Sequence, residues 1–200
     1  MDVPPADPSP LSSGPLSAGL PDEEFATDGL LTKRAVRAYA LAMLAPRAGE
    51  LLWDLGAGTG SISIEWCRLH PANRAIAVER DAERAQRIGT NAVRLGVAGQ
   101  VDVRVAAIDA DLADLDQPSA IFVGGGVTAE TLDHCWQRLA SGGRLVAHGV
   151  TAETEAVLAQ AYRAHGGELA RIGVELAEPI GRFTGFRPLR TVTSWAAIKS

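Results

Sequence analysis

Trp53-Asp54-Leu55-Gly56-Ala57-Gly58-Thr59-Gly60-Ser61 is the stretch whose reading decides the fold. Leu51 to Leu55 is a short apolar run of strand length, and Ser61 to about Leu69 reads as a helix. A glycine turn between a strand and a helix opens a βαβ unit. Glycine has no Cβ, so the backbone there bends tightly and comes close to a ligand. The crevice at the carboxyl ends of such strands is where a nucleotide-like ligand settles.

The rest of the chain repeats this alternation. Upstream, Thr32 is a candidate cap for a helix to about Leu44, ended by Ala45-Pro46. Downstream, Ala75–Glu79, Val101–Val105, Ala120–Val123 and Arg144–Val150 read as strands. Between them lie helices from Asp81 to about Leu95, closed by Gly96, and from Thr128 to about Leu139. A last helix spans Ala152 to about His165. Glu168–Leu176 and Thr191–Ile198 alternate like strands, with turn residues between them. Interleaved strands and helices predict an α/β fold: a seven-stranded, mostly parallel Rossmann-like sheet with a terminal antiparallel strand.

Two hundred residues suit one such domain plus a tail. Residues 1–24 are Pro/Ser/Gly-rich over most of their length and read as a flexible leader or interdomain linker, leaving 25–200 as the folded domain. A net charge of −5 disfavours a nucleic-acid surface, which needs a concentrated basic face. No apolar run reaches the roughly 18–20 residues of a membrane span. The N-terminus lacks the basic-then-apolar pattern of a signal peptide, so a cytoplasmic protein is expected. Cys67 and Cys135 are far apart and belong to no CxxC or Cys/His cluster, so no metal is expected.

The spacing of the turn narrows the ligand. A dinucleotide turn reads GxGxxG, with its pyrophosphate on the helix N-terminus. Here the pattern is GxGxG, preceded by Asp54. S-adenosylmethionine has no pyrophosphate and carries an ammonium, which favours a nearby carboxylate. Glu79 at the second strand end is placed to accept ribose hydroxyls. Asp54, Gly56, Ala57, Gly58, Thr59, Gly60, Glu79 and Arg80 are therefore candidate contacts for S-adenosylmethionine. Ala107 and Ile108 would face the adenine, with Asp109 or Asp111 near its amino group. Gly124-Gly125-Gly126, after the fourth strand, suits backbone passing close to ligand: Gly124 on the cofactor side, Gly125 and Gly126 on the substrate side.

There is no Asn/Asp-Pro-Pro-Tyr/Phe after the fourth strand and no Pro-Cys nucleophile. Both absences disfavour the corresponding amine and cytosine methylations. A tRNA or protein methyltransferase of the same fold is the alternative reading. A nicotinamide oxidoreductase and a non-catalytic cofactor-binding module stand further back.

Gly29-Leu30-Leu31-Thr32-Lys33, the glycine turn, Ile64-Glu65-Trp66, Ala77-Val78-Glu79-Arg80, Phe122–Gly126, Gly142–Val146 and Val150–Glu153 together resemble the decarboxylating precorrin-6B methyltransferases of cobalamin (vitamin B12) biosynthesis. The resemblance runs from about Phe25 to Lys199. It implies methylation at C15 of a precorrin, a tetrapyrrole, coupled to loss of the ring C (C12) acetate carboxyl as carbon dioxide. It implies S-adenosylmethionine as cofactor, with Thr32 among its contacts. It also implies a homo-oligomer, a tetramer, and in many organisms fusion to an N-terminal C5-methyltransferase domain. Two positions depart from the family's habit: Ala106 with Ile108-Asp109 replaces a glycine followed by Ala-Pro, and His148 stands where asparagine is common.

Methylating an enamine-like meso carbon needs alignment more than a strong base. Decarboxylation is helped by a general acid. His148, Thr151, Glu153 and Arg187 are the catalytic candidates on the strand-end rim. Lys33, Arg34 and Arg182 are candidate partners for substrate carboxylates, with Arg37 beside them. The segment Gly181–Pro188 is expected as a hairpin loop on that rim. His70, His134 and His165 read as helix-end or helix-surface residues without a role.

Overall fold

A computed structural model of the chain describes residues 17–108 and 114–200. Asp109, Asp111 and most of the expected leader lie outside the described residues. The elements follow the alternation of the sequence. Helix α1 spans Arg34–Leu44, strand β1 Leu51–Leu55, α2 Ser61–Arg68, β2 Arg74–Glu79, α3 Ala82–Arg94, β3 Val101–Val105 and β4 Ala120–Val123. Then come α4 at Ala129–Arg138, β5 at Arg144–Gly149, α5 at Ala152–His165 and β6 at Glu168–Ile172. Strands β7 (Glu175–Ile180), β8 (Phe183–Pro188) and β9 (Val192–Ile198) complete the chain.

Seven strands form one sheet in the order β3-β2-β1-β4-β5-β9-β6. The first five are parallel, and β9 runs antiparallel between β5 and β6. Strand order reverses between β1 and β4, which opens the crevice where α/β sheets bind ligands. Period-two alternation divides the core. Leu51, Trp53, Leu55, Val78, Ile121 and Leu145 pack with α4 and α5 on one face. Leu52, Ala75, Phe122 and Val146 pack with α1, α2 and α3 on the other. The middle strands are buried on both faces, so they read in sequence as unbroken apolar runs.

Three expectations change. Gly181–Pro188 is no loop: with β7 it forms a separate two-stranded sheet whose ladder pairs Ile180 with Phe183 and Leu176 with Arg187. Thr32 does not cap α1. The N-cap is Lys33, with no side-chain cap bond, and the Thr32 carbonyl accepts from Arg37 Nη1 at 2.5 Å. The expected leader ends earlier than residue 24. The backbone N–H groups of Gly19 and Leu20 donate to the Glu65 carboxylate, and a 3-10 turn covers Asp22–Glu24.

Arg37 and Glu65 make those contacts possible. Arg37 is fully buried and Glu65 nearly so, with Nε to Oε1 at 2.5 Å. Arg37 also donates to Asp22 and to the Leu20 carbonyl. The pair therefore ties residues 19–32 to α1 and α2. Asn91 holds the same segment at Ala26, and Asp28 pairs with Arg84 and Arg87. Arg37 is thus a structural cation and not a substrate ligand. Arg37→Ala leaves a buried carboxylate without its partner, so a loss of about 3–5 kcal/mol is expected in chemical denaturation. An unchanged denaturation midpoint would contradict the clamp.

Candidate active site

The loop after β1 and the loop after β4 lie backbone against backbone. A Cβ on Gly56 would sit 3.2 Å from both the N and the O of Gly125. A Cβ on Gly124 would sit 3.3 Å from the Gly56 carbonyl. Gly56, Gly58 and Gly60 all have positive φ. The two glycine runs are one structure: each lets the other approach.

Four of the turn's N–H groups are already engaged. Those of Gly56 and Ala57 donate to the Val78 carbonyl, and that of Gly60 to Ala57. Gly58 N–H donates to Glu79 Oε2 at 2.9 Å, and Asp81 N–H to Oε1 at 3.0 Å. Near the start of α2, Ser63 gives both its N–H and its hydroxyl to Asp54 Oδ2, at 3.1 and 2.6 Å. A pyrophosphate would need such donors free. The site instead presents two fixed carboxylates, suited to a cation and to hydroxyls.

Asp54 is 1% exposed and lines the cavity, yet its Oδ1 has no hydrogen-bond partner among the described residues. Burial pushes its pKa up from 3.8 to about 6, against the lowering effect of the Ser63 bonds and aided by the nearby Glu79 charge. An ammonium at Oδ1 would supply the missing partner. The ammonium end of S-adenosylmethionine fits this donor-poor, carboxylate-lined seat.

One cavity of about 1420 Å³ runs along the strand ends. Gly29 to Lys33, Asp54, Gly56 to Thr59, Glu79, Arg80, Ala107 and Ile108 are among its lining residues. Gly124, Gly125 and Gly126 border it too, and Ile108 packs where a Cβ on Gly126 would stand. Thr131 and His134 on α4, His148 on β5, Thr151 and Thr154 at the start of α5 and Arg190 before β9 line it as well. Pockets for drug-sized ligands occupy about 300–1,000 Å³. This cavity therefore has room for a second molecule beside a nucleoside-sized one.

Several expected residues stand elsewhere. Gly60 is behind the wall as the N-cap of α2, where a Cβ would lie 2.6 Å from Ile88; its task is close packing of α2 on α3. Arg34, Glu153, Arg182 and Arg187 do not line the cavity. Arg187 pairs with Glu178 across the β7–β8 ladder, and Arg182 rests over the Phe183 ring. Glu153 lies in the first turn of α5, where its own N–H and the Thr151 side chain hold its carboxyl below the usual range. Thr151 does line the cavity and also closes a capping box with Thr154. His148 lines it as well. Burial pushes its pKa down to about 4, so near neutral pH it is an uncharged imidazole and no imidazolium donor.

Among the wall residues missed are His134 and Arg190. His134 lies on α4 three residues after buried Thr131 and next to buried Cys135. That helical spacing was the available signal. Arg190, between β8 and β9, is an exposed rim cation with no ion pair among the described residues. Nothing local in the sequence separates it from Arg182 or Arg187.

The sequence profile described as precorrin methyltransferase domain matches residues 23–199. The decarboxylating precorrin-6Y C(5,15)-methyltransferase of Mycobacterium tuberculosis is 52% identical over 180 residues, 90% of this chain and 45% of that protein. Its counterpart from a Sinorhizobium species is 50% identical over 186 residues, 92% of this chain and 45% of that protein. The chain thus spans about half the length of these curated relatives. The crystal structure of the C-terminal domain of precorrin-6Y C5,15-methyltransferase from Rhodobacter capsulatus superposes with a TM-score of 0.87 at 42% identity. That match covers 92% of this chain and 99% of the other.

The Asp54 carboxyl has a stability consequence. A group whose pKa is higher folded than unfolded stabilises fully below the unfolded value, and the contribution is lost as pH rises through the folded value. Here the window is pH 3.8 to about 6. At about 1.4 kcal/mol per unit, the ligand-free protein should lose about 3 kcal/mol across it relative to Asp54→Asn. Denaturation of both proteins from pH 4 to 7 reads the difference. A constant gap would contradict the buried carboxylate with its unpaired Oδ1.

Proposed function

The chain belongs to the precorrin methyltransferase family, and from that premise we propose that it methylates a precorrin, precorrin-6B, at C15 and removes the carboxyl of the ring C acetate, using S-adenosylmethionine. The observation that carries this reading is the single cavity. The ends of β1 and β2 offer it two fixed carboxylates for a cationic, hydroxylated cofactor, and the rest of its volume leaves room, with Arg190 at the rim, for a large polyanion.

The cofactor supplies an electrophilic methyl group on sulfonium. Asp54 Oδ1 holds its ammonium, and Glu79 takes the ribose hydroxyls on lone pairs not used by Gly58 and Asp81. Thr32, with Leu30 and Leu31, closes the cavity from the segment clamped by Arg37. Ala107 and Ile108 give the adenine an apolar wall. Lys33, whose ion pair with Asp22 is partly exposed, and Arg190 line the cavity and pair with substrate carboxylates, in the place expected of Arg34 and Arg182, while Arg80 stays beside Glu79 with the cofactor. Gly125 and Gly126 let the macrocycle approach the backbone, and the neutral His148 imidazole exchanges a hydrogen bond with it. The alternative polynucleotide substrate gains no support from a chain of net charge −5.

The relatives' extra length, and the C5 activity in their names, support a full-length form with an N-terminal C5-methyltransferase domain joined through the leader that precedes Gly19. Residues 25–200, with the packed segment before them, then form the C15 domain. The β7–β8 arm carries Ile180, Phe183 and Phe186, each at least 61% exposed. Such a patch supports self-association, as a tetramer, through this arm. Among the described residues no helix is long and apolar enough to cross a membrane. The free thiols Cys67 and Cys135 support a reducing, cytoplasmic setting.

Incubation of the chain with precorrin-6B and S-adenosylmethionine, followed by mass, should give a product with one methyl gained and one carbon dioxide lost. Methyl transfer to bulk tRNA with no change in the precorrin would overturn the reading. Light scattering should find a Phe183→Asp, Phe186→Asp double variant smaller than the parent; equal masses would remove the arm as the interface.

A further inference from the structure

His134 is a wall residue that the mechanism above leaves without a task. It lines the same cavity as Thr131, Thr154 and His148, and its Nε2 is buried with no hydrogen-bond partner among the described residues. Buried polar atoms are seldom left unpaired, and the exceptions call for a catalytic or ligand-binding reason. Thr131, one turn earlier on α4, is occupied with Thr128, so α4 itself gives the imidazole no partner there.

The proposed reaction needs one proton that no residue has yet supplied. When the acetate loses carbon dioxide, the bond between its methylene and carboxyl carbons breaks. The electron pair stays on the methylene side and is delocalised into the conjugated macrocycle. It must then form a carbon–hydrogen bond, so the acetate arm ends as a methyl group. The net change is one proton taken up and one carbon dioxide released, with no oxidant or reductant. The donor recovers its proton from solvent.

The titratable wall groups can be compared for this task. Asp54 and Glu79 belong to the cofactor end and are bound to Ser63, Gly58 and Asp81. Glu130 is held below the usual carboxylate range by its own N–H and by the Thr128 side chain, so it is ionised and a poor donor. His148 is desolvated and neutral near pH 7. Lys33 is paired with Asp22 at 3.7 Å. The cavity's other cations are the arginines 80, 84 and 190, and guanidinium as a group is no proton donor near neutral pH. The half-buried imidazole of His134 remains.

We propose that His134 is the catalytic acid that delivers the proton to the methylene carbon after loss of carbon dioxide. The proposal rests on the decarboxylating reading given above. His148, desolvated on β5, and His134, on α4, then divide the work: one hydrogen-bonds the macrocycle while neutral, the other cycles a proton.

The test is carbon dioxide release in a single turnover of precorrin-6B with S-adenosylmethionine, using parent, His134→Asn and His134→Ala. General acid catalysis contributes about 10²–10⁴-fold. A fall in release rate of at least about a hundredfold is therefore expected in both variants, with calorimetric affinity for S-adenosylmethionine unchanged. Added imidazole should restore much of the rate in His134→Ala, which a purely structural role would not allow. Release at the parent rate in His134→Asn would overturn the proposal, as would a slowed His134→Ala that imidazole does not rescue. A parent that releases no carbon dioxide would instead remove the decarboxylating reading itself, and this proposal with it.

Discussion

The contact on which the site depends is the one between two glycine backbones, Gly56 after β1 and Gly125 after β4. These loops leave adjacent parallel strands at the point where strand order reverses. They meet at a spacing that a side chain on Gly56 would obstruct. Their closeness lets the Gly56–Gly58 turn fold back on the end of β2, where Val78 and Glu79 accept its N–H groups. With those donors engaged, the turn has little left for a phosphate. The same hydrogen bonds fix Glu79 in place. The geometry of one backbone contact thus helps set the chemical class of the ligand.

Electrostatics then divide the cavity. Burial raises the cost of ionising Asp54, and the nearby Glu79 charge adds to it. A cationic ligand relieves that cost, so the protein's least favourable buried group becomes a source of affinity. At the end of β5 the problem is inverted. His148 is stripped of solvent and loses its charge, while Arg190 stays exposed at the rim. The segment 29–33 lines the same cavity, and the buried Arg37–Glu65 pair helps hold the chain before it.

Much of this was legible in the sequence, for identifiable reasons. Strands buried on both faces announce themselves as apolar runs. The caps Asp81 and Thr128 each accept a hydrogen bond from the N–H three residues on, as their positions suggested. Thr32 misled because its carbonyl is held by Arg37 and the next residue, Lys33, takes the N-cap position. Arg37 itself looked like a rim cation because its partner Glu65 is 28 residues distant. The β7–β8 arm was hidden by Pro179, Gly181, Gly185 and Pro188, residues that read as a loop yet are tolerated on an exposed two-stranded ladder. Arg182 and Arg187 went with it, away from the cavity. His134 differs: its position one turn after Thr131 did place it on the inner face of α4, and only its resemblance to a surface residue concealed it.

The central claim is that the glycine turn with Asp54 and Glu79 is a seat for S-adenosylmethionine. Gly58 offers the most direct measurement, because a Cβ there would meet nothing within 4 Å. An arginine at this position would extend into the cavity, at the cost of strain from the positive φ. Calorimetric titration with S-adenosylmethionine should give saturable one-site binding for the parent and none for Gly58→Arg, with the fold of the variant verified by its circular dichroism. No binding by the parent, or near-parent affinity in a folded Gly58→Arg, would contradict the account.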